Sequence, residues 1–357
     1  MAFLKIDNVK LSGIAASVPC KVERICDLPI FADGEADKFS ESTGVVSRHV
    51  SDTLLSSDLC TAAAERMIDD LGWEKDTIDG LVVVTQSPDF HRPSNATLIQ
   101  NRLGLSKECA SLCISFGCSG WIYGLSVAAG LINSGCKRVL LCAGEGIQAY
   151  CKQDKSTYPL FGSAGTCTAL EYDNVAPSIL FHLGTDGSGW SAINIPDGGY
   201  RHPYSGNSSL IEEFEGGIKR ARMNVALNGM DVFSFGISRP PKSIKALSEH
   251  FSIDLTMIDY LLLHQANKML NAKIAKKVGV PESKVPHNIE DYGNSSSATL
   301  PLLMVTILRD ALLGRPLRFL GCAFGVGLSW GSVYFETNTP TVSEIVLVED
   351  DYAAVYV

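Results

Sequence analysis

The sequence predicts an α/β protein built from two related halves. Three observations carry this: short β-branched runs alternate with helical patterns, the same order of signals returns later in the chain, and 357 residues exceed one ordinary core. In the first half, an amphipathic helix around Ser57 to Leu71 leads through Ile78-Asp79-Gly80 into the buried strand Gly80 to Thr85. The stretch from Cys109 to Cys136 carries no formal charge and breaks at Phe116-Gly117-Cys118-Ser119-Gly120. Its length exceeds the roughly 20 residues of a membrane span, but its repeated Gly and Ser and the central turn signal argue against insertion. It reads as a buried strand, a turn and a buried helix. Arg138 to Ala143 is the next strand, and Ala164 to Leu170 closes this half.

The second half repeats the scheme. A helix over Lys242 to Phe251 precedes Ile258-Asp259-Tyr260 and the strand Leu261-Leu262-Leu263, which ends in His264-Gln265 as the earlier strand ends in Thr85-Gln86. Helices follow from Asn267 to Val278 and from Ser297 to about Leu313, then a hairpin of Arg318 to Phe324 and Leu328 to Phe335. The boundary falls near residue 175, giving units 1–174 and 175–357. Gly184 to Gly217, rich in Gly, Ser and Asn, reads as a loop or flap over a site. The acidic end, finishing Tyr352-Ala353-Ala354-Val355-Tyr356-Val357, reads as an added strand or a tail.

Composition narrows the function. Apolar residues make up 46% and charged residues 19%, with 32 Gly and 15 Pro, which excludes disorder, collagen and coiled coil. A net charge of -9 argues against a nucleic-acid-binding surface. The eleven Cys are odd in number, form no CxxC pair and accompany no His cluster at metal-ligand spacing, so neither a disulfide framework nor a metal is expected. Lys5 and Asp7 bring charge too early for a secretory leader, and a reducing cytoplasm fits.

Cys118, among the eleven, alone occupies a strand-to-helix turn between glycines, where helix N–H groups stabilise a thiolate. His264 ends an apolar strand at the sheet edge where α/β sites form; read alone, it is equally a hydrogen-bonded core residue. Asn294, in Gly293-Asn294-Ser295-Ser296-Ser297, is by itself a turn or N-cap residue.

Taken with their surroundings, these residues give the chain a specific likeness. From about residue 8 to residue 336 it resembles the β-ketoacyl-acyl carrier protein synthase III family of the thiolase superfamily. The motifs, in order, are Ser42-Thr43-Gly44-Val45 with Arg48-His49, Gly117-Cys118-Ser119-Gly120, Phe161-Gly162-Ser163-Ala164-Gly165, His264-Gln265-Ala266-Asn267, Gly293-Asn294-Ser295-Ser296-Ser297, and Phe324-Gly325-Val326-Gly327-Leu328-Ser329-Trp330-Gly331. The resemblance implies a thiolase-like fold, two duplicated halves in a layered αβαβα sandwich, and a homodimer. It implies that Cys118 takes an acyl group from a thioester, with its own N–H and the Gly325-Val326-Gly327 loop holding the oxyanion. His264 and Asn294 then stabilise the enolate formed when a malonyl thioester loses CO₂. No metal or other cofactor is implied. The implied partners are acyl carrier protein or coenzyme A thioesters, with no nucleic acid and no membrane.

The departures bear on the substrate. The family's Phe-Gly-Asp-Gly-Ala-Gly lacks its acid here, and Lys38 and Ser42 stand where a Trp and an Arg clamp the adenine of coenzyme A. That favours a carrier-protein donor or an unusual acyl group. Arg92 takes the place of an apolar residue that often lines the family's acyl pocket across the dimer, and points to a short or polar acyl group or to a pocket built differently; Asn267 is a second substrate-binding candidate. Lys268, Lys273, Lys276 and Lys277, on the helix after His264, read alone as a solvated helix face; beside an acyl site on an acidic protein they suit a dock for an acidic carrier, with Lys219, Arg220 and Arg222 as a separate basic cluster. Competing readings are an acyltransferase passing the acyl group to an alcohol or amine, a papain-like hydrolase, and a non-catalytic acyl-binding protein. Keeping Cys118, His264 and Asn294 together favours condensation.

Overall fold

A computed structural model describes residues 2–353. The first half runs β1 (Ala2–Ile6), β2 (Val9–Pro19), the short pair β3 (Val22–Arg24) and β4 (Ser47–His49) around α1 (Glu35–Thr43), then α2 (Ser56–Leu71), β5 (Gly80–Val84), α3 (Asn95–Leu103), β6 (Ala110–Ile114), α4 (Gly120–Asn133), β7 (Arg138–Glu145) and β8 (Ala164–Tyr172). After β9 (Ile179–Thr185) the flap region holds only short strands: β10 (Ile193–Asn194), β11 (Glu212–Phe214), β12 (Ile218–Arg220) and β13 (Ala226–Leu227). Then come α5 (Gly229–Phe251), β14 (Tyr260–Leu263), α6 (Lys268–Val278), α7 (Ile289–Tyr292), α8 (Thr299–Thr306), α9 (Arg309–Gly314), β15 (Leu317–Gly325), β16 (Ser329–Thr337), β17 (Thr341–Val342) and β18 (Val346–Val348).

Two sheets form, in the orders β17-β2-β8-β7-β5-β6 and β1-β9-β16-β15-β14. The duplication is visible in them. The series β2-β8-β7-β5 and β9-β16-β15-β14 share one pattern, two antiparallel pairings followed by a parallel one. The terminal strands cross over: β1 pairs with β9 in the second sheet, while β17 and β18 pair with β2 in the first. The C-terminal segment thus supplies an added strand up to Val348, and residues 354–357 lie outside the described residues.

Helices α4 and α8 lie between the sheets and touch both. A helix covered on every side has to be apolar all round, which explains the uncharged run from Cys109 to Cys136. Gly124 of α4 is needed there, because a Cβ on it would fall 2.6 Å from Leu141 Cδ1 and 2.7 Å from Val84 Cγ2. The central core joins Trp121, Leu125, Leu300, Leu303, Phe319 and Phe335. Outside it, α2 and α3 pack on the first sheet around Met67, Ile99 and Leu140, and α5 and α6 pack on the second around Ile244, Leu261 and Ile274. Among the described residues, no helix is long and apolar enough to cross a membrane.

Two helices differ from expectation. Helix α5 begins at Gly229, not near Lys242, and carries Pro240 and Pro241 inside it, both buried. The expected single helix from Ser297 to Leu313 is a 3-10 turn followed by α8 and α9, interrupted at Ile307 and Leu308. Thr306 returns its hydroxyl to the Leu302 carbonyl and accepts from Asn288 Nδ2, so its side chain competes with the helix ladder.

Candidate active site

Strands β6 and β14 run parallel to their neighbours and release the chain at the same kind of sheet edge, where open α/β sheets place their sites. After β6, Gly117-Cys118-Ser119 makes a tight turn, with Gly120 N donating to Gly117 O at 2.7 Å, and α4 follows. Gly120 is needed here, since a Cβ on it would lie 2.5 Å from Val84 Cγ1, whereas one on Gly117 would displace only the end of the Gln86 side chain, 2.3 Å away at Oε1. The loop Gly325-Val326-Gly327 runs directly against the thiol. A Cβ on Gly325 would sit 2.6 Å from Cys118 Cβ and 2.7 Å from Sγ. Ser119 Oγ, 2.7 Å from Ser329 Oγ, fastens the two segments, because Ser329 spends its own hydrogen on Val326 O at 2.7 Å.

His264 leaves the end of β14 and is 1% exposed. Its Nδ1 is 2.8 Å from Thr299 Oγ1, and its carbonyl accepts from Asn271 Nδ2 at 3.1 Å. Asn294 is fixed on both backbone sides: its N donates to Leu160 O at 2.9 Å, and its carbonyl accepts from Gly162 N at 3.1 Å. Its side-chain Oδ1 accepts from Ser296 N at 2.9 Å, which leaves the Nδ2 donors for the cavity. His264, Asn294, Cys118 and Gly325 line one small apolar cavity together with Thr43, Phe161 and Asn267. The arrangement brings a thiol, a neutral imidazole and an oriented amide to one space, from segments far apart in the chain.

The electrostatics refine the expectation for Cys118. Burial pushes the thiol up to about 11, opposed by the Ser296 hydroxyl and by the backbone N–H groups of Val326 and Cys118 itself. The turn into α4 therefore does not yield a resting thiolate; desolvation outweighs the helix N-terminus. Burial also pushes His264 down to about 3, so the imidazole is neutral throughout the physiological range. Glu145, at the end of β7, is 7% exposed, and burial raises it to about 7 against hydrogen bonds from Ser87, Gln86 and Thr85.

The other sequence candidates are placed differently. Asn267 caps α6, its Oδ1 accepting from Leu270 N at 3.0 Å, and its Nδ2 donates to Ser42 O at 2.8 Å, which ties α6 to the Thr43-Gly44 turn. Arg92 lies on an exposed loop outside the cavities that Cys118 lines, and donates to Tyr200 Oη at 3.1 Å. On α6, Lys268 pairs with Glu290, Lys273 lies over the Phe233 ring and Lys277 donates to Ile237 O, while Lys276 is exposed. Lys219, Arg220 and Arg222 are each paired with an acid: Glu213, Asp154 and Asp197.

Sequence reasoning assigned nothing to Ser296, Thr299, Glu145 or Tyr150. Ser296 links all three central residues: its N orients Asn294, its Oγ is 3.9 Å from Cys118 Sγ, and its carbonyl accepts from Thr299, the neighbour of His264. It sits at φ 51°, a left-handed conformation rare outside glycine. The available signal was the polar run Asn294 to Ser297 leading into the otherwise apolar helix α8. Glu145 and Tyr150 line a second cavity with Cys118. A lone acid closing the apolar strand β7 was the signal for Glu145.

The fold and this cavity define a condensing-enzyme scaffold of the thiolase type. Family models described as 3-oxoacyl-[acyl-carrier-protein] synthase III and as its C-terminal part match residues 114–187 and 249–337. A β-ketoacyl-[acyl-carrier-protein] synthase III from Clostridium acetobutylicum is 30% identical over 92% of this chain and 98% of its own, and one from Streptococcus pneumoniae is 33% identical over 93% and 99%. The crystal structure of a 3-oxoacyl-(acyl-carrier protein) synthase from Burkholderia xenovorans LB400 superimposes with a TM-score of 0.91 at 32% identity, covering 97% of this chain and 99% of that one. The chain belongs to the β-ketoacyl-[acyl-carrier-protein] synthase III family.

Proposed function

We propose that the protein condenses an acyl group held on Cys118 with a malonyl-carrier thioester by decarboxylation. The observation that carries this is the convergence of Cys118, His264 and the Nδ2 face of Asn294 on one cavity. The first half, 1–174, supplies the nucleophile, and the second, 175–357, supplies the two donors.

The Cys118 sulfur attacks the carbonyl carbon of an acyl thioester, and the carrier leaves as its thiol with the proton from Cys118. The backbone N–H groups of Cys118 and the Val326 loop stabilise the oxyanion. A malonyl thioester then enters, and His264 and Asn294 donate to its thioester oxygen. Loss of CO₂ leaves an enolate whose carbon attacks acyl-Cys118. The sulfur departs, and a β-ketoacyl thioester two carbons longer is released. A neutral His264 is suited to this work, because an imidazolium would hold the malonyl carboxylate back from leaving.

Lys276, exposed on α6, and Lys273, over the Phe233 ring that borders the cavity, are the lysines assigned to docking an acidic carrier, since Lys268 is already paired. Lys38 and Ser42 supply no ring and no guanidinium for an adenine, which supports a carrier-bound acyl donor. The protein acts as a homodimer in a reducing cytoplasm, with Arg92 on the loop that reaches the partner's acyl site. Intact-mass analysis after exposure to acyl thioesters tests the first step, and CO₂ release from a malonyl carrier tests the second. A Cys118→Ala variant that still takes up one acyl group overturns the assignment. Acylation without any CO₂ release replaces condensation by simple acyl transfer.

A further inference from the structure

Behind Cys118, away from His264 and Asn294, lies a cavity of about 330 Å³. Its wall is unlike that of a site for a plain alkyl chain. Phe161 and Ile195 form an apolar side, but Glu145, Tyr150 and Asn194 bring polar groups to the same space. Glu145 is buried without a cation: Oε1 accepts from Gln86 N at 2.8 Å, and Oε2 accepts from Ser87 Oγ at 2.7 Å and, at 3.5 Å, from Thr85 Oγ1. A carboxylate offers about four acceptor sites, so three hydrogen bonds leave one for a ligand. Tyr150 stacks on Phe161 with ring centroids 4.2 Å apart, which fixes its ring. Among the described residues, neither its hydroxyl nor the Asn194 amide has a hydrogen-bond partner.

We propose that this cavity selects a short acyl group bearing a hydroxyl, which donates to Glu145 and accepts from Tyr150. The inference rests on the condensing reading above, since it names what Cys118 carries. An alkyl chain entering the cavity strips water from Glu145 and Tyr150 and returns no hydrogen bond. A hydroxyl on that chain restores both contacts. Sites with polar groups of this kind discriminate mainly through the cost of leaving those groups unpaired. The departure of Glu145 toward a higher pKa is the sign of that burial and accords with an acceptor awaiting a donor.

The test measures the rate of Cys118 acylation by intact mass with butyryl, β-hydroxybutyryl and γ-hydroxybutyryl thioesters on one carrier. At least one hydroxyacyl group should load about tenfold faster than butyryl, or more. In Tyr150→Phe and in Glu145→Met, which removes the acceptor at similar size, the ratio of hydroxyacyl to butyryl loading should fall toward one. The two variants probe the same contact from separate elements, so a failure of one to fold leaves the other decisive. Butyryl loading as fast as both hydroxyacyl groups, or an unchanged ratio in a folded variant, overturns the inference and leaves the condensing reading standing. No loading by any thioester overturns that reading and the inference with it.

Discussion

Thr299 Oγ1 stands 2.8 Å from Nδ1 of His264 and 3.0 Å from the carbonyl oxygen of Ser296. The hydroxyl has one hydrogen for two acceptors. Given to Ser296, it leaves Nδ1 to carry the imidazole proton; given to Nδ1, it places that proton on Nε2, as a donor role for His264 requires. In the structure the hydrogen goes to Ser296, so a donor role for Nε2 requires Thr299 to turn it to Nδ1, and Thr299 thereby governs the tautomer. In Thr299→Val the condensing step should slow about tenfold, the cost of roughly one hydrogen bond, while acylation of Cys118 changes less. Thr299→Ser should recover most of the loss. Single-turnover labelling scored against CO₂ release reads both steps, and equal slowing of the two would discount the tautomer role.

In the proposed mechanism Asn294 acts on the malonyl carbonyl and not on the thiol. Removing one oxyanion-type donor costs about 10²–10³ in rate. Asn294→Ala should therefore lose malonyl decarboxylation and condensation by about that factor while acyl-Cys118 still forms at near the normal rate. Equal loss of both steps would refute the division of labour.

Gly325 has no room for a methyl group, given the 2.7 Å from its notional Cβ to Cys118 Sγ. Gly325→Ala must displace the thiol or the loop that bears Val326. A shift of about 1 Å in a reacting group costs on the order of 10²-fold, so acylation should fall by that amount while the overpacking lowers the melting temperature without unfolding the protein at assay temperature. Stopped acylation kinetics beside a thermal melt would separate this from misfolding.

The pH behaviour follows from two buried groups. His264, held down to about 3, contributes no limb to the condensation profile between pH 5 and 8. A descending limb near pH 6.5 that vanishes in His264→Ala would contradict this. Glu145 works in the opposite direction. Raised from 4.5 to about 7, it binds more protons folded than unfolded across that window, so its contribution is fully present below pH 4.5 and is lost as pH rises through 7. The difference in unfolding free energy between Glu145→Gln and the parent should grow with pH over this range by about 3 kcal/mol in favour of Gln. Denaturant titrations at pH 5 and pH 8 provide the check.

Much of this was legible in the chain, for physical reasons that differ by residue. Gly80 to Val84 and Leu261 to Leu263 stand out because strands covered on both faces are unbroken apolar runs. His264 stands out because it ends such a run, Cys118 because it sits in a glycine-flanked turn after one, and Asn294 through the Gly293-Asn294-Ser295-Ser296-Ser297 motif. The first part of α5 was hidden because Gly229, Gly236, Pro240 and Pro241 all read as breakers. Gly236 is there for clearance, since a Cβ would meet Leu270 Cδ2 at 2.8 Å and Phe324 at 2.9 Å. Ser296 and Thr299 were hidden for another reason: their partners Cys118 and His264 are distant in sequence, and hydroxyl residues are common everywhere. The thiol's acidity was misjudged because a helix start is local and readable, whereas burial is set by the loop at Gly325 arriving from the far end of the chain.

The crossing of the terminal strands has a consequence for the molecule as a whole. With β1 seated beside β9, and β17 and β18 beside β2, each half holds a piece of the other's sheet. A chain cut between Tyr172 and Ile179 gives two fragments, and neither contains all the strands of its own sheet. Each fragment is the missing edge of its counterpart. Fragments cut there should stay associated through these strands, because the two contributors to the Cys118 cavity are clasped together by their own ends.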